Sequence, residues 1–320
     1  MTTKIIGTGA YAPEKIVTND DLAKIMDTSD EWIKSRTGIA ARHISEGIGV
    51  TELAVQAANA ALANAKVTPE EIDVIIVGTS SGETVFPSSA CYVQAEIGAV
   101  NAVAFDISAA CSGFIFALNT VHSFIQSGVY KTGLIIGAEV LSKVVDWADR
   151  STCVLFGDGA GAAVVQAADS GVKSTLMKSD GSKAGVLDCV GRTTENFLTG
   201  KQPELGFMKM DGQEVFKFAV TKVPEAIREV VEKSGISLEE VKYFILHQAN
   251  YRIFEAIAKR LKVSMDKIPM NIQKYGNTSA ASIPLLLDEM NKDGKLQKGD
   301  KLVLAGFGAG LTWAATLLEW

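Results

Sequence analysis

Apolar residues come along this chain in two alternating forms, short continuous runs and longer runs at helical spacing. Residues 73–79 (DVIIVGT), 102–108 (AVAFDIS), 132–138 and 160–167 are short and β-rich, and read as buried strands. Between them, residues 88–97 read as a helix. Residues 111–127 (CSGFIFALNTVHSFIQS) are apolar around most of the helical circumference, which predicts a helix buried on nearly every side. The alternation predicts an α/β chain.

The second half runs through the same order. YFILHQAN (243–250) stands where VIIVGTS (74–80) stood, and GNTSAAS (276–282) stands where the helix opening at AACSG stood. KLVLAGFG (301–308) answers TGLIIGAE (132–139), and LTWAATLLE (311–319) answers GAAVVQA (161–167). Corresponding points lie roughly 150–170 residues apart. The expectation is two pseudo-duplicated halves, 1–170 and 171–320. Their junction falls in the stretch 168–212, which is rich in Gly, Ser and Lys and suited to loops over a site.

Composition narrows the class. The chain has 320 residues, 47% hydrophobic and 21% charged, enough to bury a large core without staples. Its four cysteines form no C-x-x-C, and its three histidines are scattered, so no zinc signature is present. The apolar stretch in MTTKIIGTGAY is too short for a signal peptide, and no run approaches a membrane span. A cytoplasmic location with reduced thiols is expected. The net charge of −6 argues against general nucleic-acid binding.

Candidate chemistry begins at Cys111. In DISAACSGF a strand ends in small residues and turns directly into the buried helix. That places the cysteine near a helix N-terminus, where free N–H groups and the dipole favour a thiolate. A buried structural cysteine reads equally well from this segment alone. Cys91, Cys153 and Cys189 lack the setting and read as structural. His247 closes a strand in YFILHQAN, where α/β sheets meet ligands; His43 and His122 read as structural. Asn277, in YGNTSAAS, reads first as a helix cap. The two glycine-rich segments GFGAGLTW (306–313) and GDGAGAA (157–163) fail the phosphate-loop and dinucleotide patterns and read as tight hairpins.

Taken together, AACSGF, HQANYRI and GNTSAAS resemble, in order and spacing, the β-ketoacyl-acyl-carrier-protein synthase III family of the thiolase-like fold. The resemblance runs from GTGAYAPE at the start to GFGAGLTW at the end. It implies a layered α-β-α-β-α architecture. It implies a decarboxylating Claisen condensation of an acyl-coenzyme A primer with malonyl-acyl carrier protein, initiating type II fatty acid synthesis. Cys111 matches the acyl-accepting nucleophile, and His247 and Asn277 match the pair that polarises the malonyl thioester. The N–H groups of Cys111 and Ala309 match an oxyanion hole; the family often has Gly at the latter position. Phe307 matches an aromatic over the site. Trp32, Arg36 and Arg150 match a coenzyme A clamp, and Gly212, Phe216 and Asn250 a channel for the pantetheine arm. Phe86 matches a pocket residue donated across a homodimer interface, with Val186 and Leu187 as further candidates for the pocket wall.

Gln248, Ala249, Asn250, Tyr251 and Arg252, with Lys217, Lys259 and Arg260, match a docking site for an acidic carrier protein. A solvated helix face is the plainer reading of these charges. The resemblance implies no metal and no resident cofactor, coenzyme A entering as a substrate thioester. Rival readings are a polyketide-type synthase, a hydroxymethylglutaryl-CoA synthase, a cysteine thioester hydrolase and a non-catalytic binding protein. A thiolase is disfavoured because GFGAG lacks a second cysteine.

Overall fold

The structure, a computed structural model, describes residues 1–202 and 204–320. The apolar runs form two sheets. The first contains β1 (Thr2–Tyr11), β2 (Val74–Gly78), β3 (Val103–Ile107), β4 (Thr132–Glu139) and β5 (Gly159–Ala168), in the order β1-β5-β4-β2-β3. The second contains β6 (Val172–Ser179), β7 (Tyr243–Leu246), β8 (Lys301–Gly308) and β9 (Thr312–Glu319), in the order β7-β8-β9-β6. β2 pairs parallel with β4, which pairs antiparallel with β5, which pairs antiparallel with β1. β7, β8, β9 and β6 repeat that series of pairings. The two sheets thus share one series of pairings, and the change of sheet falls between Ala168 and Val172.

Six longer helices cover these sheets: α1 (Val50–Ala65), α2 (Ser89–Ile97), α3 (Gly113–Gln126), α4 (Gly212–Lys233), α5 (Tyr251–Leu261) and α6 (Ser282–Lys292). Strand alternation sorts the core into layers. Ile75, Val77, Leu134 and Ile136 face outward onto α1 and α2. Val74, Ile76 and Ile135 face inward, onto α3 and α6, and Ile245, Leu302 and Leu304 meet the same helices from the second sheet. Phe244, Leu246, Val303 and Ala305 face α4 and α5 on the far side. The result is the expected α-β-α-β-α stack. α3 and α6 form its middle layer, which explains why α3 is apolar nearly all round.

Local readings shift in two places and hold in a third. GDGAGAA is no hairpin: its later residues open β5, and Phe156 just before it makes an isolated parallel bridge to Asn277. GFGAGLTW is the tight antiparallel turn between β8 and β9. The Gly-, Ser- and Lys-rich junction is not all loop, since it holds β6 and a ribbon of Leu187–Cys189 against Met208–Met210.

Candidate active site

The sequence places a nucleophile where a strand turns into a helix, a histidine at a strand end and an asparagine in a turn before a helix, and the structure brings the three to one cavity. Cys111 lies in a single 3-10 turn, Ala110–Ser112, immediately before α3. Ser279 lies in the matching turn, Ser279–Ala281, immediately before α6. Both turns open on a left-handed residue that is not glycine, Ala110 at φ 46° and Ser279 at φ 49°. Such residues cost about 1–3 kcal/mol each and persist where the surroundings enforce them. Both turns are closely approached: a Cβ on Gly78 would meet the Gly113 backbone at 2.7 Å, one on Gly308 the Cys111 nitrogen at 2.6 Å, and one on Gly137 the Ala280 carbonyl.

Cys111, His247, Asn277, Phe307 and Ala309 line one cavity of about 970 Å³. His247 follows the end of β7, its backbone N–H donating to the Ala305 carbonyl on β8 at 2.9 Å. Its Nδ1 lies 2.7 Å from Ser282 Oγ, and its ring meets Phe307 edge-on at 5.4 Å between centroids. Burial lowers the His247 pKa to about 3, so the ring is neutral.

Asn277 is held by both backbone groups. Its N–H donates to the Leu155 carbonyl at 2.8 Å, and its carbonyl accepts from the Gly157 N–H at 3.0 Å. Its side-chain Oδ1 accepts from the Ser279 N–H at 2.9 Å. The cap-like bond is therefore real, and it leaves Nδ2 as the group available to the cavity. Ala309 has no left-handed backbone, so alanine fits where glycine is frequent.

The thiol differs from expectation. Burial pushes the Cys111 pKa up to about 12; the Glu139 carboxylate adds to the rise, and a hydrogen bond with Ser279 opposes it. A helix terminus supplies about 0.3–1 kcal/mol, at best about 2, which is too little to offset that desolvation. Proximity to α3 alone does not make a thiolate here. Glu139 itself, at the end of β4, is completely buried, and burial raises its pKa. Sequence reasoning missed both Glu139 and Ser282. Only the repetition of Ser within GNTSAAS pointed towards the latter.

The cavity runs outward past Gly212, Phe216, Lys217, Asn250 and Arg252 to Trp32 and Arg36. The Arg36 and Arg150 guanidinium carbons lie 4.7 and 5.5 Å from the Trp32 ring centroid. Arg150 also pairs with Asp27 at 3.0 Å. Ala249 and Leu187 line the cavity, whereas Val186 does not.

Two other residues depart from their reading. Cys189 is exposed and lines the cavity, so it is not a buried structural cysteine. Gln248 is buried, its Nε2 donating to Leu246 and its Oε1 accepting from Asn271, so it braces the His247 loop and offers nothing to a docking partner. Phe86 is 84% exposed and stands outside the cavity of its own chain. Tyr251 and Arg252 are exposed at the start of α5, with Arg252 donating to Ser35 O at 3.1 Å. Lys259 and Arg260 lie at its other end, where Arg260 contacts Thr221 on α4, so the cations form no single stripe. His122 bonds Thr3, and His43 stacks on Tyr275, both structural roles.

Among the described residues no helix is long and apolar enough to cross a membrane, and no group of three or more His, Cys, Asp or Glu could hold a metal. Comparison with known proteins agrees with this geometry. The profile for 3-oxoacyl-[acyl-carrier-protein] synthase III matches residues 105–181, and the profile for its C-terminal part matches residues 231–320. The chain is 52% identical to the β-ketoacyl-[acyl-carrier-protein] synthase III of Clostridium acetobutylicum, covering 100% of this chain and 99% of that protein. The crystal structure of 3-oxoacyl-[acyl-carrier-protein] synthase III from Aquifex aeolicus superposes with a TM-score of 0.93 at 51% identity, covering 99% of this chain and 100% of that one. The priming β-ketosynthase of the R1128 polyketide pathway superposes at 0.92 with 35% identity, covering 99% and 96%. With its shared cavity and its full-length likeness, this chain belongs to the 3-oxoacyl-[acyl-carrier-protein] synthase III family.

Proposed function

We propose that the enzyme condenses an acyl-coenzyme A primer with malonyl-acyl carrier protein, with loss of carbon dioxide, to give the β-ketoacyl-carrier product that initiates type II fatty acid synthesis. The observation that carries this reading is the convergence of Cys111, His247 and Asn277 on one cavity, with the Asn277 amide turned by Ser279. In this reading the half 1–170 supplies the nucleophile and the half 171–320 supplies the polar pair.

In the first stage Cys111 sulfur attacks the acyl thioester carbonyl, coenzyme A leaves as its thiol, and an acyl-cysteine remains. The Cys111 and Ala309 N–H groups hold the oxyanion. The adenine stacks at Trp32, where Arg36 and Arg150 stand ready as cationic neighbours. Arg150 must part from Trp32 for a purine to lie between them.

In the second stage malonyl-carrier protein occupies the same cavity. Gln248 N–H donates to Ser282 Oγ at 3.3 Å, leaving the Ser282 proton for His247 Nδ1. Nε2 then carries the ring proton and donates, with Asn277 Nδ2, to the malonyl thioester oxygen. The enolate formed as carbon dioxide departs attacks the acyl-cysteine, and the thiolate leaves. Phe307 keeps the malonyl carboxylate poorly solvated, which favours its loss.

Tyr251, Arg252 and Lys217 form the carrier-docking rim, with Lys259 and Arg260 at its margin. A homodimer completes the site: β3 is an edge strand with an exposed Val103, and Val85 and Phe86 stand exposed nearby in the chain. Across a two-fold axis Phe86 would reach the partner's cavity. The location is cytoplasmic in this reading.

The test is a panel of acyl-coenzyme A primers with malonyl-carrier protein, read by mass spectrometry of Cys111. The expected result is an acyl-Cys111 adduct and a β-ketoacyl-carrier product. Release of free acid without malonyl-carrier protein would instead identify a hydrolase.

A further inference from the structure

Arg42 is completely buried, yet it stands outside the cavity and the scheme above gives it no task. Its guanidinium meets carbonyls only. Nη1 donates to the Val17 carbonyl at 3.2 Å and Nη2 to the Val154 carbonyl at 2.7 Å. Nε is buried and has no partner among the described residues, and none of their carboxylates pairs with the group. Val17 is the residue opposite Arg42 in the ribbon of Ile16–Thr18 against Ala41–His43, so the first bond is local. The second reaches across 112 residues. Taking a cation out of water without an anion is costly. An apolar side chain of similar volume would fill the space at less cost. What sets arginine apart here is its reach to Val154.

Val154 opens the segment that brackets Asn277. The next carbonyl, that of Leu155, accepts the Asn277 N–H at 2.8 Å, and the Gly157 N–H donates to the Asn277 carbonyl at 3.0 Å. Phe156, between them, makes the parallel bridge. One residue further on, the Asp158 N–H donates to the His43 carbonyl at 2.9 Å. Arg42 and His43 thus pin the segment at both ends, and the Asn277 contacts lie between the pins. On its other flank the same stretch holds the turn that leads into Asn277, where the Ala40 N–H donates to the Gln273 carbonyl at 3.1 Å. Packing is tight as well: a Cβ on Gly157 would meet Arg42 Cβ at 3.0 Å, and one on Gly276 would meet it at 3.3 Å.

The Asn277 side chain has little freedom of its own, because Oδ1 is held by the Ser279 N–H. Where its backbone stands therefore decides where Nδ2 stands. We propose that Arg42 is a positioning residue for decarboxylation: by holding the Val154 carbonyl it sets the segment that brackets Asn277, and so aims Nδ2 at the malonyl thioester oxygen. This rests on reading Asn277 as a donor to that oxygen. Arg42 touches neither substrate nor the reacting atoms. The turn of Cys111 is approached by Gly78 and Gly308 instead, so acylation lies outside its reach.

The test measures malonyl-carrier protein decarboxylation and single-turnover acylation of Cys111 in the full chain, for wild type, Arg42→Lys, Asn277→Ala and the double variant. Lysine keeps the charge, but its ammonium is a point donor and cannot reproduce the fork that serves two carbonyls. Arg42→Lys is expected to lower kcat for decarboxylation about tenfold, less than an ångström of misplacement can cost. Acylation, which does not use Asn277, should stay within about twofold of wild type. In the Asn277→Ala background the same substitution should cost less than about twofold, because the residue it positions is gone. Arg42→Gln, uncharged and shorter, is the second variant and should show the same pattern.

An equal fall in both half-reactions overturns the proposal and leaves Arg42 a structural role. So does a loss of decarboxylation that persists undiminished in the Asn277→Ala background. If circular dichroism shows that neither Arg42 variant folds, Arg42 is a structural residue and the proposal falls. These three outcomes leave the proposed function standing. A wild-type enzyme that decarboxylates no malonyl-carrier protein would overturn that function, and the role of Arg42 with it.

Discussion

His247 Nδ1 lies 2.7 Å from Ser282 Oγ, and the same oxygen accepts the Gln248 N–H. One hydroxyl thus holds the ring in place, and when it donates to Nδ1 the ring proton sits on Nε2. Ser282→Ala should lower malonyl decarboxylation about tenfold, the scale of one net hydrogen bond of about 1–1.5 kcal/mol, while acylation of Cys111 falls less. Separate assay of the two half-reactions checks it.

The nucleophile and the polar pair divide the labour, so their variants should separate it too. Cys111→Ala is expected to abolish acyl transfer and keep malonyl decarboxylation. His247→Ala and Asn277→Ala should each lower decarboxylation about 10²–10³-fold, the measure of a lost preorganised donor. Full condensation by Cys111→Ala would remove the acyl-cysteine from the scheme.

His247 has a pKa near 3 because burial penalises its charged form. Decarboxylation by Cys111→Ala should therefore be flat from pH 5 to 8, with no inflection near about 6.5, where a free histidine titrates. The unfolded chain binds a proton on this ring below about 6.5, whereas the folded chain resists it until about 3. Folding stability from this group consequently falls as the pH drops through that window.

Trp32 is stacked by two arginines in the free enzyme. Trp32→Ala should raise KM for acyl-coenzyme A about tenfold, since stacking a base on an aromatic ring contributes about 1–3 kcal/mol. The KM for malonyl-carrier protein should change less, which steady-state kinetics with each substrate varied would show.

Arg252 sits at the cavity mouth and is exposed. Arg252→Glu should raise KM for malonyl-carrier protein about tenfold, and the defect should lessen with added salt as screening weakens the repulsion. Titration of KM against ionic strength checks both.

The layered fold was legible in the sequence because buried parallel strands and a helix buried all round leave continuous apolar runs. VIIVG and GFIFALNTVHSFIQ became β2 and α3 almost residue for residue. Cys111 and His247 were legible because each follows a strand of simple pattern, and Asn277 because it stands in a short polar turn that opens a helix. What escaped was whatever depends on distant partners. Ser282 meets His247 across 35 residues, and Glu139 meets Ser279 across 140. Ala110 and Ser279 hold left-handed backbones without being glycine, so nothing local announced their turns. The rise in the Cys111 pKa escaped for the same reason, because its burial is made by the second half of the chain closing over the first.

Asn277 is gripped through its own backbone by Leu155 and Gly157, residues of the opposite half. The reaction centre is therefore also a clasp between the halves. Warming cannot loosen one half and leave a working remnant in the other, because the first strand bridge to open carries the asparagine with it. Thermal inactivation and loss of tertiary structure should arrive together, and a substrate that fills the cavity should delay both.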